Sequence, residues 1–325
     1  MFGMRRREFI TLLGGAAAAW PLAARAQRTP KVPRMGFLSA GSPPANPAFW
    51  KGMQEHGYIE GQNILVEYRW AEGVPERLPG LVAELVQLNL DVIFAFGTQA
   101  TLAAKNVSAT PIVFHTHADP VEAGFVNSLA RPGANFSGFT LIAPQLVGKR
   151  LELLKELVPT AASVTVLVNT ANPGMQSTLG LLQTAARSVG VKLQIVEART
   201  PREIESSFVA IARGGTGALY VGLDPLFLEQ RNRIVEFAAK HRLPASYDVR
   251  PFVDSGGLMS YGPSLPNSFV RCAYFVDRIL KGSKPSDLPV EQPTHFELII
   301  NLRSARALGL DVPPMLIARA DAVIE

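Results

Sequence analysis

Cysteine is almost missing from this sequence: Cys272 is the single one among 325 residues. That excludes a disulfide framework, a cysteine-based zinc site and a lipid-modified cysteine behind an export signal. A long apolar run is missing as well. Phe9 to Leu22 spans 14 residues, rich in weakly apolar alanine, against about 20 needed to cross a bilayer. The excess of positive charge is smaller than it looks. Net charge is +5, but Arg5, Arg6, Arg7 and Arg25 face only Glu8 within the first 26 residues, and the remainder carries +2. No lysine–arginine stripe occurs elsewhere, so no nucleic-acid partner is expected. Catalytic signatures are missing too. There is no Gly-x-Gly-x-x-Gly and no Gly-Lys-Ser/Thr phosphate loop. Gly36-Phe37-Leu38-Ser39 and Gly257-Leu258-Met259-Ser260 each miss the Gly-x-Ser-x-Gly nucleophile elbow by one residue. What is present is apolar material, 47% against 18% charged, enough to build the cores of two lobes.

The N-terminus reads as an address. Arg5-Arg6-Arg7-Glu8-Phe9 precedes a short apolar stretch that ends in Ala24-Arg25-Ala26. A basic start, an apolar middle and a small-x-small end predict a secretory signal cleaved after Ala26. The Arg6-Arg7 pair with Phe9 resembles the twin-arginine export signal. The mature protein is expected to be soluble and periplasmic.

The mature chain alternates strands and helices. Runs at Arg34–Leu38, Asn63–Trp70, Asp91–Phe96 and Pro111–His115 have strand character. So do Ser163–Val168, Val191–Val196, Gly217–Val221, Leu243–Tyr247, Leu258–Tyr261 and Phe296–Asn301. Helical patterns lie between them, among them Gln145–Leu157, Gly174–Val189, Leu226–His241 and Asn267–Leu280. This is the spacing of βαβ units, which build parallel sheets covered by helices. The predicted fold class is α/β, with two Rossmann-like lobes hinged around a cleft. Ligands of open parallel sheets bind at the loops beyond the carboxyl ends of the strands.

Those loops, with the aromatic residues close to them, supply the candidate ligand-binding set: Ser39, Ser42, Thr98, Gln99, Thr116, Asp119, Asn169, Asn172, Asp224, Tyr247 and Tyr261. Neutral hydroxyls and amides at helix starts favour a carboxylate, and an aspartate can take an ammonium, so the set suits a zwitterion. The competing reading is that Ser, Thr, Asn and Asp stand there as helix caps and turn formers. His115-x-His117-x-Asp119 has metal-like spacing but no fourth ligand, and no metal or cofactor is expected. Cys272 shares a helical face with Phe269, Val276 and Ile279, the pattern of a buried thiol.

Several ordered segments carry a resemblance. They are Lys51-Gly52-Met53; Gly57-Tyr58-Ile59-Glu60-Gly61-Gln62-Asn63; Thr98-Gln99-Ala100; Asp119-Pro120-Val121; Arg131-Pro132-Gly133-Ala134-Asn135; Ile279-Leu280-Lys281-Gly282; and Ile300-Asn301-Leu302. Together they resemble the tryptophan-binding-like family of ABC-transporter substrate-binding proteins, with the type I periplasmic-binding-protein fold. His115 and His117 depart from that pattern. The resemblance implies three crossings between lobes, near residues 143, 262 and 285. Residues 31–143 and 262–284 then form lobe 1, and residues 144–261 and 285–325 form lobe 2. It also implies a monomer that captures a small amino-acid-like solute and delivers it to a membrane permease without chemistry. A secreted α/β enzyme acting on a small molecule is the alternative.

Overall fold

The computed structural model describes residues 32–41, 47–107, 110–141, 143–172 and 174–325. The export signal expected over residues 1–26 lies outside them. Among the described residues no helix is long and apolar enough to cross a membrane.

The first lobe is wound on an all-parallel sheet. Its strands are β1 (Arg34–Ser39), β2 (Leu65–Trp70), β3 (Val92–Phe96), β4 (Ile112–Thr116) and β5 (Phe136–Thr140), in the order β2-β1-β3-β4-β5. Helices α1 (Pro47–Glu55), α2 (Leu78–Gln87) and α3 (Thr98–Ala103) connect them. Central strands β3 and β4 are buried throughout, which is why they read as unbroken apolar runs. Strand β5 is not among the runs that periodicity predicts, because Ser137 and Gly138 interrupt it. Gly138 is required there: a Cβ would lie 2.1 Å from the Phe114 carbonyl oxygen of β4.

The second lobe repeats the winding. Strands β6 (Ser163–Val168), β7 (Lys192–Glu197), β8 (Ala218–Val221), β9 (Ala245–Tyr247) and β10 (Met259–Pro263) are parallel. Strand β11 (Phe296–Asn301) joins β10 antiparallel, and β12 (Ala322–Ile324) closes the edge. The order is β12-β11-β10-β9-β8-β6-β7. Helices α4 (Ala143–Leu157) and α5 (Gly174–Val189) pack together. Next come α6 (Pro201–Arg213), α7 (Pro225–Glu229), α8 (Arg231–Lys240) and α9 (Pro251–Asp254). Helices α7 and α8 are one element in the periodicity but break at Gln230 (φ −86°, ψ 14°), so that the short α7 can start from its Asp224 cap at the cleft.

The chain crosses between the lobes after β5, after β10 and before β11. Helix α10 (Leu265–Leu280) follows β10 but packs on α1, β4 and β5 of the first lobe. Helices α11 (Leu302–Leu308) and α12 (Pro314–Arg319) complete the second lobe. The third crossing comes later than residue 285, where the prolines suggest a linker. Val290 N–H still donates to Leu129 O, Glu291 N–H to Gly138 O, and Thr140 N–H to Glu291 O. Residues 285–291 therefore run along β5, because an edge strand offers backbone groups that a neighbouring segment can pair.

Between the first two crossings a buried polar cluster ties the chain together. Arg150 Nε donates to Tyr261 O at 2.6 Å and lies 3.1 Å from Asp248 Oδ1, while Tyr220 Oη donates to the same oxygen at 2.8 Å. Arg150 and Tyr220 have no exposed surface. Burial pushes the Asp248 carboxyl upward and Arg150 draws it back.

Candidate functional site

In each lobe the winding reverses beside its first strand, at β1/β3 and at β6/β8. These are the topological switch points where parallel sheets open a crevice. The loops beyond them face each other, and the lobes meet there directly. Gln99 Nε2 donates to Ala171 O at 3.2 Å, and Asn172 Nδ2 donates to His117 Nε2 at 2.8 Å. Gly97 has φ +91°, and a Cβ on it would stand 2.9 Å from Pro225 Cγ of the other lobe. Only glycine permits both that backbone and that approach. Among the described residues, one cavity between the lobes is about 20 Å³, lined by Phe96, Gly97, His115, His117, Leu141, Leu223, Pro225, Leu228 and Leu265. That is room for about one water.

The structure brings six of the predicted residues to this junction. Thr98 Oγ1 and Thr116 Oγ1 are 2.8 Å apart, and Thr116 Oγ1 also accepts from Ala118 N–H. Gln99 follows on α3 and reaches across. Opposite them, Asn169 Oδ1 accepts from Ala171 N–H. Asn172 Nδ2 donates to Asp224 Oδ2 at 2.8 Å, and Asp224 Oδ1 caps α7 by accepting from Leu226 N–H. Ser39 sits at the end of β1, where its hydroxyl accepts from Gly41 N–H. Ser42 lies outside the described residues.

Three predicted residues are elsewhere. Asp119 is exposed, and its carboxylate accepts from Val121 N–H and Glu122 N–H. It is a turn former, as Asp-Pro sequences commonly are. Tyr247 has no exposed surface, but its ring stacks on Phe252 at 4.7 Å and lines a separate cavity of about 80 Å³ with Val235, Ala238 and Gly257. Strand alternation turns it to the helix-covered face. Tyr261 packs into the second lobe's own core, beside Phe296.

Two histidines outside the candidate set take their place. His115 Nε2 lies 2.8 Å from Ser268 Oγ. Since that hydroxyl gives its hydrogen to Leu265 O, the imidazole is the donor. Its ring lies parallel to Phe269 at 4.8 Å and close to Phe96 and Phe139. Burial holds His115 down at about 3, with His117 adding to the effect. Burial likewise lowers His117 to about 4, against the opposing pull of Asn172. Both are neutral imidazoles at neutral pH. Their only sequence signal is alternation along β4 into the loop, which placed them on one face but named no partner.

The electrostatics of the junction are one-sided. Asp224 is buried and its carboxyl is raised by desolvation, with Asn172, Leu226 N–H and Asn169 pulling it back. No lysine or arginine among the described residues forms an ion pair with it. Among the described residues Asn172 Oδ1 is buried and accepts no hydrogen bond. Among the described residues no three His, Cys, Asp or Glu side chains are grouped to hold a metal. The arrangement is a pair of hydrogen-bonding loops on separate lobes, one of them carrying a buried acid.

Known proteins share this architecture. A tyrosine-binding protein of Clostridioides difficile is 27% identical over 267 residues, covering 82% of this chain and 76% of that one. A conserved domain protein of Vibrio cholerae superposes with a TM-score of 0.82 at 29% identity, covering 90% of this chain and 100% of that one. An ABC domain from Streptococcus pneumoniae in complex with L-Trp gives 0.79 at 23% identity, covering 90% and 99%. A ligand-free, open substrate-binding protein with adhesive properties from Clostridium difficile gives 0.61 at 26% identity, with the same coverage. The fold is shared by all three structures. Residues 45–324 match the ABC transporter substrate binding protein family, whose members bind substrates, and the chain belongs to that family.

Proposed function

We propose that this chain is the solute-capturing component of an ABC importer and that it closes on an amino acid with an aromatic side chain. The observation that carries the reading is Asp224, a buried carboxylate with no cationic partner among the described residues. Burying a charge is costly unless it is paired, and a ligand ammonium supplies the pair. Asn172 Oδ1 offers that ammonium a second acceptor. The carboxylate of the same ligand meets Thr98, Gln99 and Thr116 on the opposite lobe. Its side chain enters the apolar space beside Phe96, His115 and Leu265. The tyrosine-binding relative and the tryptophan-bound neighbour support the aromatic class. Export by the N-terminal arginine signal, cleavage after Ala26, a periplasmic location, action as a monomer and transient docking on a membrane permease belong to the same proposal.

The lobes hinge apart to admit the amino acid and close around it. Thermal melting with L-tyrosine, L-tryptophan and L-leucine tests the reading. At about 100 times the dissociation constant a ligand stabilises the fold by about 2.7 kcal/mol. Thr98→Ala and Asp224→Asn each remove a hydrogen bond to a charged group, worth about 1.5–3 kcal/mol, and weaken binding roughly 10- to 150-fold. Variants that melt lower without ligand yet bind normally make these residues caps alone and overturn the assignment.

A further inference from the structure

We propose that Asp248 is a positioning residue of the second lobe, which fixes the loop of Leu223 and Asp224 and so aims the Asp224 carboxylate at the ligand ammonium. The inference rests on the reading of Asp224 as the ammonium site. Among the described residues the second lobe buries two aspartates, Asp224 at 1% and Asp248 at 3% exposure. They differ in what they face. Asp248 Oδ1 accepts from Tyr220 Oη at 2.8 Å and lies 3.1 Å from Arg150 Nε, so its charge is already paired. Its other oxygen, Oδ2, accepts from the backbone N–H of Leu223 at 3.0 Å, one residue before Asp224. Both oxygens of Asp248 are thus occupied by the protein, and one of them holds the loop that carries the acid left for the ligand.

The loop between β8 and α7 is short, Gly222, Leu223 and Asp224. Gly222 N–H donates to Leu167 O of β6, and Leu223 N–H to Asp248 just beyond β9. Since β6 and β9 flank β8 in the sheet, the loop is held from both sides. Pro225 then keeps Asp224 extended, at φ −151° and ψ 143°. With that backbone set, the direction of the Asp224 carboxylate follows from where Leu223 is anchored. The anchor is itself confined. Arg150 Nε donates to Tyr261 O, and a Cβ on Gly262 would stand 1.9 Å from Asp248 O. Asp248 is therefore packed against the end of β10, where the chain leaves for the first lobe. All of these contacts lie within the second lobe, so they do not depend on how far apart the lobes stand.

Asp248→Asn isolates the role with almost no change of shape. An amide has one oxygen, and Arg150 draws it to the Oδ1 side, which leaves the NH2 group against Leu223 N–H, donor against donor. Should this variant not fold, Arg150→Met/Asp248→Leu carries the same comparisons, since it removes the acceptor but strands no buried charge. Amide hydrogen exchange in 15N-labelled protein, without ligand, compares the variant with the wild type. Leu223 N–H, and the Leu226 N–H that Asp224 caps, are expected to exchange faster in the variant, beyond any change at Val166 N–H in the same sheet. An unchanged Leu226 rate overturns the positioning role. Calorimetry with L-tyrosine and L-tryptophan then closes a double-mutant cycle with Asp224→Asn. Asp248→Asn is expected to weaken binding roughly 10-fold, the low end of the range for Asp224→Asn. In the Asp224→Asn background it is expected to weaken binding by less than about 2-fold, because the group it acts through is already gone. A residue with a merely structural role weakens both backgrounds equally, and that result overturns the proposal. If Asp224→Asn weakens binding and Asp248→Asn does not, the ammonium site stands and the positioning role falls. If Asp224→Asn leaves affinity intact, or neither amino acid binds the wild type, the ammonium reading fails, and the Leu226 rate alone decides whether Asp248 sets the loop.

Discussion

Acid should destabilise this protein through its two buried histidines. In the unfolded chain each imidazole titrates near 6.5. In the folded chain burial holds His115 at about 3 and His117 at about 4. The unfolded state therefore binds protons that the native state refuses. The contribution is fully present above the unfolded value, falls as pH drops below it, and levels off beneath the folded values. Between about pH 7.5 and about pH 5 each histidine costs about 2 kcal/mol, so the pair costs about 4 kcal/mol. Domains have only about 5–15 kcal/mol to lose, so the effect is large. Asp224 and Asp248 act in the opposite direction, since their raised carboxyls take protons in the native state first. A variant separates the terms. His117→Gln keeps an acceptor for Asn172 and removes the titration, leaving both aspartates in place. Urea unfolding of both proteins at the two pH values gives the difference. The wild type is expected to lose about 2 kcal/mol more than His117→Gln over that interval. Equal losses would refute the argument, because a histidine that takes its proton inside the native state costs nothing on acidification.

Other consequences can be checked separately. Gly97→Ala forces a side chain into a left-handed backbone 2.9 Å from Pro225 Cγ, and is expected to cost about 1–3 kcal/mol, read by urea unfolding. Arg150→Met strands the buried Asp248 carboxylate beside Tyr220 and should lower stability by about 3–5 kcal/mol in the same urea experiment. Cys272 is fully buried with its thiol pushed upward by burial, so a disulfide reagent should label it no faster than the protein unfolds, at native and at denaturing urea concentrations alike.

Much of this molecule was legible in local sequence. Buried strands such as β3 and β4 read as apolar runs, and helices between them carry stripes set by the 3.6-residue period. Alternation of the two established two parallel-sheet lobes, and the rule that strands end at the cleft pointed to the loops of Thr98, Thr116, Asn172 and Asp224. Pattern along the chain says which loop a residue occupies, but not which neighbour it meets. Tyr247 ends a strand near the cleft yet faces the opposite side of the sheet, because one step along a strand reverses the side chain. Asp119 turns outward to cap its own turn, a purely local contact that outcompetes the cleft. Strand β5 and residues 285–291 pair with each other across about 150 positions of chain, and neither has a periodic pattern of its own. The cross-lobe bonds of His117 and Gln99 belong to the same class. Hydrophobic period is set by residues a few positions apart, whereas a hydrogen bond between lobes exists only once two separately folded sheets have closed on each other. Tertiary structure therefore decided the partners, and with them which polar residues face the other lobe.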